Sequence, residues 1–196
     1  MKFGTPTIIA LFAAASIGYA ARSWQPVADP PTKDELVAAM EQESAPGKEH
    51  DVLAAMAGEF ASVGKASFGP GMDMEWKGTE RAKMILGGRF LEVDFKADKG
   101  EKPTINGKTI YGFDTRSKKY TVWSIDTLGT YGVSAEGDYD VATKTLTLEG
   151  TNTEQGRPIK FKWVITQRAE GRTLQIWLDV PQAGWQKFVD TTSTKK

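Results

Sequence analysis

Glu80, Arg81, Arg89, Glu92 and Asp94 put five charges on two neighbouring segments that alternate apolar and polar residues. If the alternation holds on both, some of them face inward, where a charge is costly unless it is paired. One reading makes Arg89 or Arg81 the grip for a ligand carboxylate or polar head, with Glu80 and Asp94 beside it. The other makes them cross-strand salt bridges on an outer face, each worth under about 1 kcal/mol, and exposed charges are the commoner case. Trp76, Trp123, Trp163, Trp177, Tyr111, Tyr131 and Phe113 are many aromatics for one small domain. An apolar pocket with a few polar tips is the usual design of a small-molecule site, and plain core packing is the everyday alternative. The candidate ligand-binding set is Glu80, Arg89, Asp94, Tyr111, Trp123, Tyr131 and Trp163.

Other chemistries are thinly supplied. The chain has no cysteine, which excludes thiol catalysis, Cys-ligated zinc or iron–sulfur sites and disulfides. His50 is the single histidine, so one chain cannot build a multi-histidine metal site. Neutral imidazole suits an axial haem position, but His50 sits beside Glu49 where a helix should open, not on a late strand. Gly-x-Ser-x-Gly, His-Glu-x-x-His and phosphate-cradling glycine loops are all missing. Asp138 and Asp140 fall in a hairpin turn, where Asp serves turn geometry, and one turn offers too few oxygens for calcium. The remaining enzymatic reading needs Glu80, Asp94 or Glu136 to converge as general acid and base. No catalytic residue, metal or cofactor is expected from these patterns. Lys+Arg and Asp+Glu balance at 25 each, which argues against a nucleic-acid partner, whose phosphates need a concentrated basic surface.

The residues that must position this chemistry begin with a leader. Met1–Lys2 is a basic start, Ile8–Ala15 a short apolar run, and Gly18-Tyr19-Ala20 sets small residues at a cleavage site. That layout predicts a secretory signal over residues 1–21, cleaved after Ala20 or Ala21, and an exported chain, periplasmic or secreted. The run is shorter than the roughly 20 apolar residues a membrane span needs, so no span is expected after cleavage. The absent cysteine excludes a lipoprotein anchor at that site. Residues 22–45 read as a proline-rich tether and a surface helix. Thr32 and Glu35 fit a capping box, the helix runs to about Glu43, and Leu36, Val37 and Met40 make its apolar stripe. That stripe is a possible docking element for an envelope protein. A second helix is predicted over Lys48–Ala57, with Val52, Leu53, Met56 and Ala57 buried and Gly58 as its stop.

Residues 46–196 then read as one β domain. Ile159, Phe161, Trp163 and Ile165 share one strand face and the intervening lysines the other. Leu174, Ile176, Leu178 and Val180 repeat the pattern, as do Leu91, Val93 and Phe95, with Phe90, Glu92 and Asp94 opposite. Trp177 falls on the face away from the leucines, either as an exposed binding aromatic or as a seat for a helix. Turn signals stand at Asp114–Ser117, Asp140–Thr143, Ala169–Gly171 and Gln182–Gly184. Asp98–Glu101 competes with Asn106-Gly107 as a turn; the earlier one is preferred and Asn106-Gly107 is expected to be a bulge. About ten short strands with short connections favour a closed antiparallel up-and-down barrel, because closure removes sticky edges.

Several segments resemble a bacterial family that carries a domain-of-unknown-function label, number 1579, grouped with lipocalin-like barrels. They are Pro46–His50 leading to Gly58-Glu59-Phe60, Lys77-Gly78-Thr79, Ile85–Leu91 and Gly112-Phe113-Asp114. Further on come Lys119-Tyr120, Trp123, Ile125-Asp126, Glu136–Asp140 and Lys144–Gly150. Phe60 stands where true lipocalins usually carry Trp, and Asp190 where the pattern leads one to expect glutamate. The resemblance implies a lipocalin-like barrel and no particular activity, since fold alone does not give function. The expectation is an exported barrel holding a small apolar or amphipathic molecule. The alternatives are a ligand-free structural or interaction protein of the envelope, and an enzyme using interior carboxylates.

Overall fold

The computed structural model describes residues 30–69, 71–98, 104–154 and 156–196. The predicted leader, with its cleavage site, lies outside the described residues. Among those described, no helix is long and apolar enough to cross a membrane.

Helix α1 is Lys33–Glu43. Its capping box forms as the sequence predicts: Glu35 N–H donates to Thr32 Oγ1 (3.3 Å) and Thr32 N–H to Glu35 Oε2 (2.8 Å). None of its residues is buried, and Leu36, Val37 and Met40 are exposed. The chain divides into two compact units, one ending at Gln42 and the other running from Glu43 to Lys196.

In the second unit, helix α2 (Lys48–Ala54) precedes ten strands. These are β1 Gly58–Ser67, β2 Asp73–Ile85, β3 Phe90–Asp98, β4 Ile105–Asp114, β5 Lys119–Asp126, β6 Gly132–Asp140, β7 Thr145–Glu154, β8 Arg157–Arg168, β9 Gly171–Val180 and β10 Gly184–Lys195. Each pairs antiparallel with its neighbours in sequence, and β1 pairs with β10, so the meander closes without a free edge. Closure satisfies every ladder without borrowing a partner from another chain. Helix α2 ends three residues earlier than predicted. Ala55 caps it in a right-handed conformation, and Gly58 opens β1 rather than stopping the helix. The expected bulge at Asn106-Gly107 does not form. Lys96 faces Asn106 and Phe95 faces Gly107 in unbroken register, because Phe95 needs the space a side chain at 107 would take. The irregularity lies in β10, where the register shifts between Lys187 and Val189 and leaves Phe188 as the extra residue.

The barrel is packed solid at one end and hollow at the other. The solid end carries α2 and the turns β2–β3, β4–β5, β6–β7 and β8–β9. Leu53 of α2 is fully buried against a cluster that includes Phe60, Leu91, Val122, Leu146 and Leu148. Burial of this kind contributes about 1.5–3 kcal/mol per large side chain. Polar links fasten the plug: the Tyr120 hydroxyl donates to the Glu49 carbonyl (3.1 Å) and Gln167 Nε2 to the Val52 carbonyl (3.2 Å).

Candidate functional site

Strand alternation selects which side chains reach the lumen. From the hollow end it is a cavity of about 680 Å³, within the roughly 300–1,000 Å³ usual for small-molecule sites. Val93, Phe95, Phe161, Trp163, Ile176 and Leu178 supply much of its apolar wall. The β10 bulge lets Phe188 and Val189 both join the lining, and Phe188 packs edge-on against Phe68 (5.1 Å between centroids).

Aromatic rings line this lumen without filling it, and three glycines explain how. Trp76 faces Gly64, Phe95 faces Gly107 and Phe161 faces Gly150 across their ladders. A Cβ on Gly64 would fall 2.2 Å from Trp76 Cζ2, and one on Gly107 would fall 2.1 Å from Phe95 Cζ. Each ring therefore lies over the bare backbone opposite, along the wall instead of across the bore. This is the ring-over-glycine pairing that stabilises glycine positions in sheets.

The inner end of the cavity is polar. Arg172 of β9 donates through Nη2 to Glu80 Oε2 and through Nη1 to the Met56 carbonyl (2.7 Å). Its guanidinium also stacks over the Phe60 ring, 4.5 Å from the centroid. Ser193 of β10 donates its hydroxyl to Glu80 Oε1 (2.5 Å). A buried pair is tolerable on these terms, with each charge matched and the remaining oxygens hydrogen-bonded. Tyr111 lies close by, 6% exposed, with its ring against Trp163. Burial pushes its phenol pKa well above the ordinary value; Arg172 opposes that shift and Glu80 adds to it. On the next pair of strands the Thr109 and Ser124 hydroxyls bond each other at 2.8 Å.

Of the seven residues singled out from sequence, the structure brings Glu80, Tyr111 and Trp163 together at the cavity wall, with Tyr131 at its mouth, 59% exposed. Three stand elsewhere. Arg89 belongs to the β2–β3 turn at the solid end, where it reaches the Leu86 carbonyl and Ser44 Oγ. Asp94 points outward, because Leu91, Val93 and Phe95 take the inner face of β3, and it pairs with Lys108 at 2.7 Å. Glu92 shares that lysine and Lys83; these bonds, Lys108's first, hold its carboxyl below the ordinary range. Trp123 is 46% exposed on the outer face, since Tyr120, Val122 and Ser124 are the buried residues of β5. Arg81 and Glu136 are also exposed and outward, so Glu80 is the only member of the proposed acid–base set that faces the lumen. Trp177 is on the outer face as expected. Lys162 stacks between it and Trp185, at 5.6 and 4.4 Å from the ring centroids. His50 is spent on structure: its Nδ1 accepts the Gly47 N–H (3.0 Å) and its ring meets Phe113 edge-on. Among the described residues no group of three His, Asp or Glu side chains is placed to hold a metal ion.

Sequence reasoning passed over Arg172 and Ser193. The signal was present for Arg172, which has the parity of Leu174, Ile176 and Leu178, two residues before the apolar run begins.

No curated protein matches the chain. The family model described as "Protein of unknown function (DUF1579)" matches residues 45–195, which spans α2 and the whole barrel. A closed antiparallel meander of ten strands, matched along its full length, places the chain in that family.

Proposed function

We propose that the protein is an exported barrel and a binding module for a small, largely apolar or amphipathic molecule held in its lumen. The observation that carries this reading is the cavity of about 680 Å³, walled chiefly by apolar side chains and reaching exposed Leu128 and Tyr131 at one end. A guest of matching size would gain dispersion contacts with these walls. Export rests on the leader pattern of residues 1–21. The test is a titration of the protein with alkyl amphiphiles, read by tryptophan emission and native mass spectrometry. Trp76 and Trp163 line the cavity, so a bound guest changes their emission and adds one ligand mass. If no guest binds and the emission stays fixed, the reading fails. Fusing the leader to a phosphatase active only outside the cytoplasm tests export separately.

A second reading, docking to an envelope protein, draws on α1. Leu36, Val37 and Met40 are exposed there with nothing buried on the same helix, and large contiguous exposed apolar patches mark partner sites. Charged substitutions at these three positions would abolish co-purification of such a partner and leave guest binding intact.

A further inference from the structure

We infer that the inner end of the cavity selects a neutral head group that both gives and takes a hydrogen bond, such as an alcohol or primary amide, and disfavours a carboxylate on the same apolar body. The inference rests on the cavity reading above and adds the class of guest.

The charge at the inner end is already matched. Arg172 is the one cation there among the described residues, and its contacts are committed to Glu80, the Met56 carbonyl and the Phe60 ring. Glu80 has both oxygens engaged, one by Arg172 and one by Ser193. An incoming carboxylate would find no unbalanced positive charge. If it drew Arg172 away, Glu80 would be left buried beside a second anion, with Ser193 its sole remaining partner; separating one member of a buried pair is the costly event. Toward the mouth, the ionisable side chains of the lining among the described residues include one lysine and two acids. The lysine, Lys96, touches the lining from the outer face of β3, where Glu92 and Asp94 also lie, and Asp126 and Glu154 are the acids.

A neutral head meets a better match. The Tyr111 hydroxyl makes no hydrogen bond to any described residue, although the residue is almost wholly buried and lines the cavity beside the ion pair. A phenol can donate and accept. Ser62 and Thr191 add two further hydroxyls to the same lining from β1 and β10. Such groups reward a partner that completes their bonding and penalise one that leaves them dry and unpaired.

The test is displacement of a neutral environment-sensitive dye from the full protein at pH 8 by four ten-carbon probes: the alcohol, the primary amide, the carboxylate and the hydrocarbon. The alcohol and amide should compete at concentrations at least about tenfold lower than the carboxylate, because the carboxylate must be buried without a counter-charge. Tyr111→Phe should weaken the alcohol about fivefold, the worth of one hydrogen bond, and leave the hydrocarbon unchanged. Glu80→Gln frees Arg172 and should raise carboxylate affinity at least about tenfold. If that variant does not fold, the wild-type ratio and Tyr111→Phe decide. Carboxylate binding as tight as the alcohol's, or an alcohol indifferent to Tyr111→Phe, overturns this inference alone. Failure of the dye and all four probes to bind overturns the cavity reading, and this inference with it.

Discussion

Gly64→Ala tests whether the lumen is kept open by rings lying over glycines. Gly64 has ordinary extended backbone, so alanine can adopt its conformation; the obstacle is Trp76. The new Cβ would sit 2.2 Å from Cζ2 and 2.3 Å from Cε2 of the indole. Carbon atoms rest about 3.5–4.0 Å apart, so the ring must retreat by well over an ångström. The wall is behind it, and the free direction is the lumen. Overpacking of this kind costs about 1–3 kcal/mol. For a chain of this size that lowers Tm by roughly 2–12 °C. The assay is thermal unfolding followed by circular dichroism, alone and in a Trp76→Leu background. With the indole gone, alanine at 64 should be neutral or stabilising by up to about 1 kcal/mol, because it restricts the unfolded chain. The single variant should also show altered tryptophan emission and weaker guest binding. An equal loss of Tm in both backgrounds would refute the reasoning, since the cost would then lie in the backbone and not in the ring.

Three more outcomes are expected. Arg172→Met should destabilise the barrel by about 3–5 kcal/mol, because it strands Glu80 in the interior, and adding Glu80→Met should recover part of that loss in denaturant melts. In the β4–β5 turn, bonds from the Arg116 side chain and backbone hold the Asp114 carboxyl down to about 2. A depressed folded pKa means the turn's contribution is complete above the unfolded value near 4 and is lost as pH falls toward 2; carboxyl NMR titration of Asp114 should show the low midpoint and Asp114→Asn should flatten the acid limb. Burial, reinforced by Glu49 and Tyr139, raises the Tyr120 phenol to about 12, and burial raises Tyr111 as well. The unfolded chain ionises near 10, so stability is intact below pH 10 and falls above it, and phenolate absorbance should appear at these two positions only as the barrel opens.

Much of the barrel was legible because its signals are local. Period-two alternation in Ile159–Ile165 and Leu174–Val180 fixes which faces point in, and the turn residues at Asp114, Asp140 and Gly171 place the reversals. The Thr32–Glu35 box marks the first helix for the same reason. The site was half legible. Asp94 could have been placed outside from its own strand, since Leu91, Val93 and Phe95 claim the other face. Trp123 follows the same rule once Tyr120 and Val122 are taken as inward. Arg89 was lost because a turn interrupts the alternation before β3 begins. What no local pattern could show is register. That Arg172 reaches Glu80, or that Trp76 meets Gly64, depends on which residues stand opposite each other around a closed ring.

Among the described residues, helix α2 stoppers one end of the tube, and the cavity reaches exposed side chains at the other. For an occupant held as proposed, traffic is then strictly sequential: a newcomer waits until the resident departs, and cannot push from behind. Turnover would be set by the leaving step, and a chase experiment would reach a plateau rate however much challenger is added. A rate that kept climbing with challenger would mean a back door beside the stopper.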